Sequence, residues 1–223
     1  MVPVQIKVRP RSDIVPPMRV LLIVCFAASM FGQKPNLPPD IDSQSNSRLP
    51  LIQRDQLNDA DKKVFDDVAN TAPGRVSLYS PPIAESIRTL NSGLRATVLG
   101  SQLFEICALI AAREFDEDFE WTGHLAGAKR AGVSEQTIQA IQFNRDLKNI
   151  PEKDALMIRF GRALFREHKV SPELYAEVVK AFGQRGTVEA AWIMGDYAMA
   201  AVALRAVDQR NPDGSQPLTG GSK

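Results

Sequence analysis

The side chains best suited to proton-transfer chemistry lie in two adjacent segments of the chain. Glu105 stands in LFEICALIAAREF, where residues 106–112 are all apolar. A helix of that composition is buried on most faces, and a carboxylate on it needs a partner or takes a raised pKa. In EDFEWTGHLAGAKRAG, the positions i, i+3 and i+7 of one helical face carry Glu117, Glu120 and His124. Because Glu120 can orient the imidazole and raise its pKa toward neutrality, this face suits general acid–base catalysis.

These residues also have plainer interpretations. Glu105 could be favoured by the helix dipole near an N-terminus and remain partly wet. A Glu/His pair four residues apart is common on exposed helices. A metal ion at Glu120 and His124 would need Glu105 as its third ligand, and the other histidine, His168, is 44 positions further along. We therefore predict no metal.

The two segments should form an antiparallel helical hairpin. Only a short loop, about residues 113–116, separates them, and such short connections join neighbouring antiparallel helices. Glu105 lies eight residues before this turn and His124 eight after it. At about 1.5 Å per residue, both stand about 12 Å from the turn and therefore at the same level. The spacing predicts contact between them if both faces point inward.

The remaining pattern is helical from about residue 55, without a period-2 strand pattern, so we predict an all-α fold. Residues 71–82 are predicted to be a turn. The predicted helices are 58–70 capped by Asn58, 83–99 ended by Gly100, 101–115 capped by Ser101, 117–131 ended by Gly132, one capped by Ser134, 151–168, one from Ser171, and 188–204 capped by Thr187.

Composition excludes several classes of function. The chain has 223 residues and a net charge of +1, which gives no broad basic surface for nucleic acid. Two cysteines, Cys25 and Cys107, cannot form a disulfide framework. Neither glycine-rich phosphate-binding motif occurs. Any chemistry must therefore come from carboxylates, imidazoles or a single thiol.

The N-terminus resembles an export signal. Residues 20–31, VLLIVCFAASMF, carry no charge, follow several basic residues, and are too few to span a bilayer. We predict a leader over 1–32, a linker over 33–50, a helical domain over 51–208 and a disordered tail over 209–223. The protein would be periplasmic or secreted, without membrane attachment after cleavage, or cytoplasmic if the leader is an artefact of the start codon.

Residues 47–204 resemble the carboxymuconolactone decarboxylase family, which includes the alkyl hydroperoxidase D branch. The opening RLPLIQRDQLNDADKKVFDDV is similar to the family's entry before its first helix. The segments LFEICALIAAREF and FEWTGHLAGAKRAGVSEQTIQAI resemble its central block, with E-W-x-x-H followed by A-x-x-A-G-V-S-x-x-x-I. The resemblance implies an alkyl hydroperoxidase D-like helical bundle, assembled as homotrimers or homohexamers with active sites near subunit interfaces.

The resemblance also bears on thiol chemistry. The hydroperoxidase branch has a glutamate twelve residues before a C-x-x-C pair and a histidine four residues after it. Glu105 and His124 match these two, but Glu117 and Glu120 occupy the cysteine positions. Carboxylates cannot perform dithiol–disulfide exchange. Cys107 lies in an apolar run and is expected to be inert, so thiol peroxidase activity is not expected.

The decarboxylase branch implies acid–base chemistry without a cofactor. A carboxylated lactone loses CO2, and the dienolate that forms is protonated. His124, held by Glu120, would donate the proton, with Glu105 orienting it or relaying protons. We assign Trp121, Glu117 and Arg113 to substrate binding, with Trp121 walling the pocket and Arg113 receiving a substrate carboxylate.

Two other functions remain open. The chain could be a hydroperoxide-reducing member of the family, or a non-catalytic oligomeric binding protein. In each case the expected partners are a small molecule and further copies of the chain. Oligomerisation is also favoured by the final helix, which is apolar around more of its circumference than one buried face needs.

Overall fold

The computed structural model describes residues 37–220. The predicted leader over 1–32, with Cys25, and the first part of the predicted linker lie outside the described residues. Over 37–220 the structure is helical, without strands, which confirms the all-α prediction. The helices are α1 (Asp59–Val68), α2 (Ala72–Ser77), α3 (Pro81–Arg95), α4 (Gly100–Glu114), α5 (Asp118–Arg130), α6 (Glu135–Gln142), α7 (Glu152–Arg162) and α8 (Pro172–Ala206).

Helix α4 is the centre of the core. It packs against α5, α7 and α8, and its residues 106–112 are buried without exception. Because these side chains are apolar on every face, the helix is covered on all sides. Gly161 of α7 contributes to this packing, since a Cβ there would come within 2.5 Å of the Ile110 side chain. The hairpin of α4 and α5 is therefore fixed from behind by α7 and α8.

Several predicted helix boundaries are confirmed by hydrogen bonds. The side chains of Asn58, Ser134 and Ser171 each accept a bond from the third residue beyond them. Gly132 has the positive φ of 85° expected where α5 ends. Helix α7 continues into one π-helical turn, Ala163–Glu167, before the chain leaves it.

The predicted turn over 71–82 is wrong, because it contains α2. Thr71 caps this helix by accepting a hydrogen bond from the Gly74 amide at 3.1 Å. The A-P-G sequence indicates a turn, but proline is well tolerated in the first turn of a helix. Gly74 is needed there since a Cβ would lie 1.9 Å from the Val68 carbonyl oxygen. The close approach of α2 to α1 explains the glycine.

Three other boundaries differ from prediction. Helix α3 ends at Arg95, well before Gly100, and Gly100 itself begins α4 with a φ of 76°. Ser101 therefore lies within α4 and is not its cap. Thr187 does not cap a separate final helix either: the break lies at Gly183, where φ is 73° and ψ is 168°, and the Thr187 hydroxyl donates to the Gly183 carbonyl at 2.7 Å.

The chain segments on either side of the helical domain are ordered where the structure describes them. In the predicted linker, the Arg48 amide donates to the Val207 carbonyl at 2.8 Å. In the predicted disordered tail, the Arg210 amide donates to the Asn46 carbonyl, also at 2.8 Å. Residues 37–50 and 209–220 thus pair with each other. The two segments are held together by hydrogen bonds between polar groups. Such contacts leave no periodic hydrophobic pattern in the sequence, so the pattern does not predict them.

Asn211 anchors the tail. It is 4% exposed, and its Nδ2 donates to the Asp118 carbonyl, the Thr122 hydroxyl and the Ser215 carbonyl. The Leu218 amide donates to Asp118 Oδ1 at 2.6 Å. Within 37–220, no helix combines the length and apolar character that crossing a bilayer requires.

We expect Asn211→Ala to release the tail, because it removes the hydrogen bonds that Asn211 Nδ2 donates to the Asp118 carbonyl, the Thr122 hydroxyl and the Ser215 carbonyl. Losing hydrogen bonds of this kind costs about 1–3 kcal/mol. Hydrogen exchange of the Leu218 amide should accelerate by at least tenfold. Gln216→Ala, at an exposed tail position whose side chain makes no hydrogen bond to residues 37–220, serves as the control and should leave exchange unchanged. Equal exchange in both variants would contradict an anchored tail.

Candidate active site

The α4–α5 hairpin brings Glu105 and His124 into direct contact. His124 Nδ1 lies 2.7 Å from Glu105 Oε2, a short charge-assisted hydrogen bond. The side chains of Glu105 and His124 are 15% and 14% exposed, so the bond is mostly shielded from water and a small part of each side chain stays accessible. Their equal distance from the turn between α4 and α5 places them at the same level, as the spacing predicts.

Glu120 holds the other side of the imidazole. Its Oε2 lies 3.5 Å from His124 Nε2, and its side chain is only 5% exposed. The second oxygen, Oε1, is buried and has no hydrogen-bond partner among residues 37–220. Both ring nitrogens of His124 therefore face carboxylates, one on its own helix and one on α4.

This arrangement keeps a proton on His124. Burial alone would lower the pKa of His124, but the hydrogen bonds and charges of Glu105 and Glu120 outweigh it and raise the pKa to about 9. The imidazole is thus protonated at neutral pH. An imidazolium that is hydrogen-bonded at Nδ1 and makes only a 3.5 Å ionic contact at Nε2 can give up its Nε2 proton as a general acid.

Gly127 makes the Glu105 position possible. It lies one turn beyond His124 on α5, and a Cβ at Gly127 would come within 2.6 Å of Glu105 Oε1. The carboxylate therefore rests against the bare backbone of α5. A sequence pattern gives no sign of this role, because a glycine inside a helix only indicates a weak helix former.

Tyr197 and Asp196 of α8 complete the surroundings, and sequence reasoning assigned neither a role. The rings of Tyr197 and His124 meet edge to face with centroids 4.4 Å apart. Burial raises the pKa of Tyr197, and burial together with Glu120 raises the pKa of Asp196 to about 6. Two polar residues that interrupt an apolar helix were the signal available in the sequence.

The three residues assigned to substrate binding are not brought to this cluster. The Arg113 guanidinium bonds Asp116 at 2.6 Å beside the α4–α5 turn, about 12 Å along the helix from Glu105. Trp121 is fully buried in the core, so it presents no surface to a ligand. Neither confirms its assignment.

Glu117 leaves the face it was expected to share with His124. It is the N-cap of α5, with φ −95° and ψ 101°, so helical periodicity does not apply to it. Its carboxylate accepts a hydrogen bond from the Glu120 amide at 2.7 Å, and burial raises its pKa to about 7. It lines a separate cleft of about 460 Å³ between α5 and the tail.

Cys107 is suited to packing and not to redox chemistry. Its side chain is fully buried on α4, and burial raises the pKa of the thiol. It is the one cysteine among the described residues, so no resolving thiol accompanies it there. Residues 37–220 also contain no group of three or more His, Cys, Asp or Glu side chains arranged to hold a metal ion.

The fold is that of alkylhydroperoxidase D-like proteins. No family model and no curated protein matches the sequence. Among solved structures, a variant of the debrominase Bmp8 in complex with 2,3,4-tribromopyrrole is similar, with a TM-score of 0.56 and 16% identity over 75% of this chain and 91% of that one. The alkylhydroperoxidase AhpD core of a peroxidase-related protein from Ralstonia eutropha JMP134 is also similar, with a TM-score of 0.57 and 15% sequence identity. The match covers 74% of this chain and 91% of that one. At these identities the likeness establishes the fold, and the resemblance to the decarboxylase family remains a resemblance.

We expect Gly127→Ala to lower the pKa of His124 by one unit or more, because the new methyl group would push the Glu105 carboxylate away from the ring. The pKa can be followed by proton NMR of the imidazole in a His168→Asn background, where His124 is the one remaining histidine. Since Glu105 is a flexible side chain, the fold should persist.

Gly123→Ala is the matched control on the same helix, as a Cβ there meets nothing within 4 Å. It should leave the pKa near 9 and raise stability by about 0.5–1 kcal/mol through helix propensity. If Gly127→Ala left the pKa unchanged as well, the contact between Gly127 and Glu105 would not control His124.

Proposed function

We propose that this protein is a cofactor-independent acid–base enzyme acting on a small carboxylated or lactone-like substrate. The observation that supports this most directly is the position of the His124 imidazole between Glu105 and Glu120, which raises its pKa while part of the ring surface stays accessible. Decarboxylation of such a substrate needs no separate electron acceptor, because the substrate supplies its own electron sink.

The reaction assigned to His124 is protonation of carbon. The bond between the ring and the carboxylate breaks, CO2 leaves, and the electron pair passes through the conjugated system to the lactone carbonyl oxygen. His124 then gives its proton to the carbon of this dienolate and is reprotonated from solvent. Glu105 and Glu120 fix the ring during the transfer, which removes the cost of orienting the donor.

Thiol-dependent peroxide reduction is the weaker alternative. It needs a thiolate and a resolving thiol, whereas Cys107 is buried with its pKa raised. A non-catalytic binding protein would not need a proton on His124. The burial of two carboxylates around an imidazole favours catalysis, because such an arrangement carries a desolvation cost that binding alone does not require.

The catalytic proposal is tested with carboxymuconolactone in D2O. Wild-type protein should release CO2 and add one deuteron at carbon. His124→Gln should slow this at least 100-fold, within the range for loss of a general acid. The rate should fall as pH rises through about 9, because His124 then loses its proton.

Cys107→Ser is the control for thiol chemistry and should keep activity within twofold. A loss above tenfold in Cys107→Ser, or full activity in His124→Gln, would contradict the assignment. Substrate analogues in the form of other carboxylated lactones extend the assay if carboxymuconolactone is not turned over.

We also propose that the protein assembles into homotrimers or homohexamers through α8. Four apolar side chains on this helix are 45–60% exposed: Val188, Trp192, Met199 and Val202. Their spacing of four, seven and three residues forms one stripe, as in helices that pack against a partner helix. A stripe of this length on a soluble chain indicates a docking surface.

Light scattering of the purified protein should give three or six times the monomer mass, and Trp192→Glu should reduce it to the monomer. Tyr175→Glu is the control, as Tyr175 lies on α8 with 50% exposure but before the break at Gly183 and outside the stripe. A monomeric wild-type protein at micromolar concentration would refute the proposal.

A further inference from the structure

An arginine that sequence reasoning overlooked lies beside the His124 cluster. The Arg95 guanidinium, at the end of α3, sits 5.1 Å from the centroid of the Phe104 ring. Phe104 in turn meets Tyr197 edge to face at 5.8 Å. Since Tyr197 contacts the His124 ring, two aromatic rings connect the cation of α3 to the imidazole.

Arg95 differs from most of the arginines that the structure describes, because they form ion pairs with carboxylates. Within residues 37–220 it is exposed and makes no ion pair and no side-chain hydrogen bond. By contrast, Arg113, Arg159 and Arg166 are each paired with a carboxylate. A guanidinium presents five donors in a fixed fork that matches a carboxylate, and this one has its donors free within that part of the chain.

Tyr197 offers a second free donor at the same place. Its hydroxyl has no hydrogen-bond partner among the described residues. The residue is 5% exposed, and its ring meets the His124 ring with centroids 4.4 Å apart. The hydroxyl can donate to a ligand that reaches the edge of His124.

The charge of the cluster calls for such a cation. Glu105, Glu120 and Asp196 surround the imidazole, so an anionic substrate would be repelled unless a positive charge lay on its path. Arg95 is close enough to oppose the rise in the pKa of both Asp196 and Tyr197. It thus provides a positive field on the α3 side of the site.

We propose that Arg95 and the Tyr197 hydroxyl form the subsite that binds the carboxylate of a small cyclic substrate and presents its ring to His124. This rests on the proposed function for the site but concerns binding, and it gives Arg95 the role that the sequence suggested for Arg113. The phenyl ring of Phe104 supports the guanidinium. The substrate class is therefore a ring acid with a carboxylate besides the one lost as CO2, and the subsite holds this second carboxylate away from the Glu105 side.

The test uses furan-2-carboxylate as the probe and the full chain at pH 7. Saturable shifts of the His124 imidazole resonances should appear with furan-2-carboxylate and not with furan-2-carboxamide, which has the same shape without the charge. Arg95→Gln should weaken binding at least tenfold, and Tyr197→Phe about tenfold. Arg130→Gln is the matched control, because Arg130 is another exposed arginine without an ion pair within 37–220, at the far end of α5.

The outcomes separate this proposal from the catalytic one. Binding that depends on Arg95, without turnover of any carboxylated lactone, would support the subsite and refute the catalytic function. Turnover with a KM unaffected by Arg95→Gln would overturn the subsite and leave the function standing. Equal binding of the carboxamide would also overturn it. If Arg95→Gln dissociated the assembly in light scattering while Arg130→Gln did not, Arg95 would be an interface residue and the subsite would be wrong.

Discussion

The contact between Glu105 and His124 is the interaction around which the domain is arranged. Removing an imidazolium and two carboxylates from water is costly, and their mutual attraction compensates only when the geometry is good. The 2.7 Å bond supplies that geometry. It requires α4 and α5 to be in register, and it requires Gly127 to lack a side chain where the carboxylate rests. The apolar residues of α4 hold this register by fixing the helix against α7 and α8.

The site also depends on helices far away in sequence. Tyr197 reaches His124 from α8, whose second part follows the break at Gly183. Glu189 of the same helix accepts hydrogen bonds from the Thr97 hydroxyl and the Val98 amide. It thereby attaches α8 to the loop that follows Arg95. These bonds, together with the contacts of Phe104 with Arg95 and Tyr197, hold the end of α3 against the helix that carries Tyr197.

Local sequence was sufficient for the centre of the site and insufficient for its edges. The hairpin of α4 and α5 follows from helix periodicity and a short loop, so the meeting of Glu105 with His124 was predictable from counting alone. Tyr197 and Arg95 lie on α8 and α3. Their positions beside His124 depend on how these helices pack against α4 and α5, which no local sequence pattern predicts. The ordered tail was missed for another reason: Asn211 is held by hydrogen bonds, which leave no hydrophobic signature.

Glu117 and Glu120 are three residues apart but have different roles: Glu117 caps α5, and Glu120 contacts His124. The resemblance to the hydroperoxidase branch matches both to its cysteine positions, and spacing alone predicts both on the face of His124. Glu117 is an N-cap and adopts an extended conformation, so its carboxylate turns back to the Glu120 amide. That bond helps to fix the beginning of α5 at Asp118, so that Glu120 lies within the helix. Its helical position, four residues before His124, directs the Glu120 side chain to the ring. The Glu117 carboxylate therefore positions the start of the helix, and the Glu120 carboxylate faces the imidazole. Two cysteines at these positions would not divide the two roles in this way.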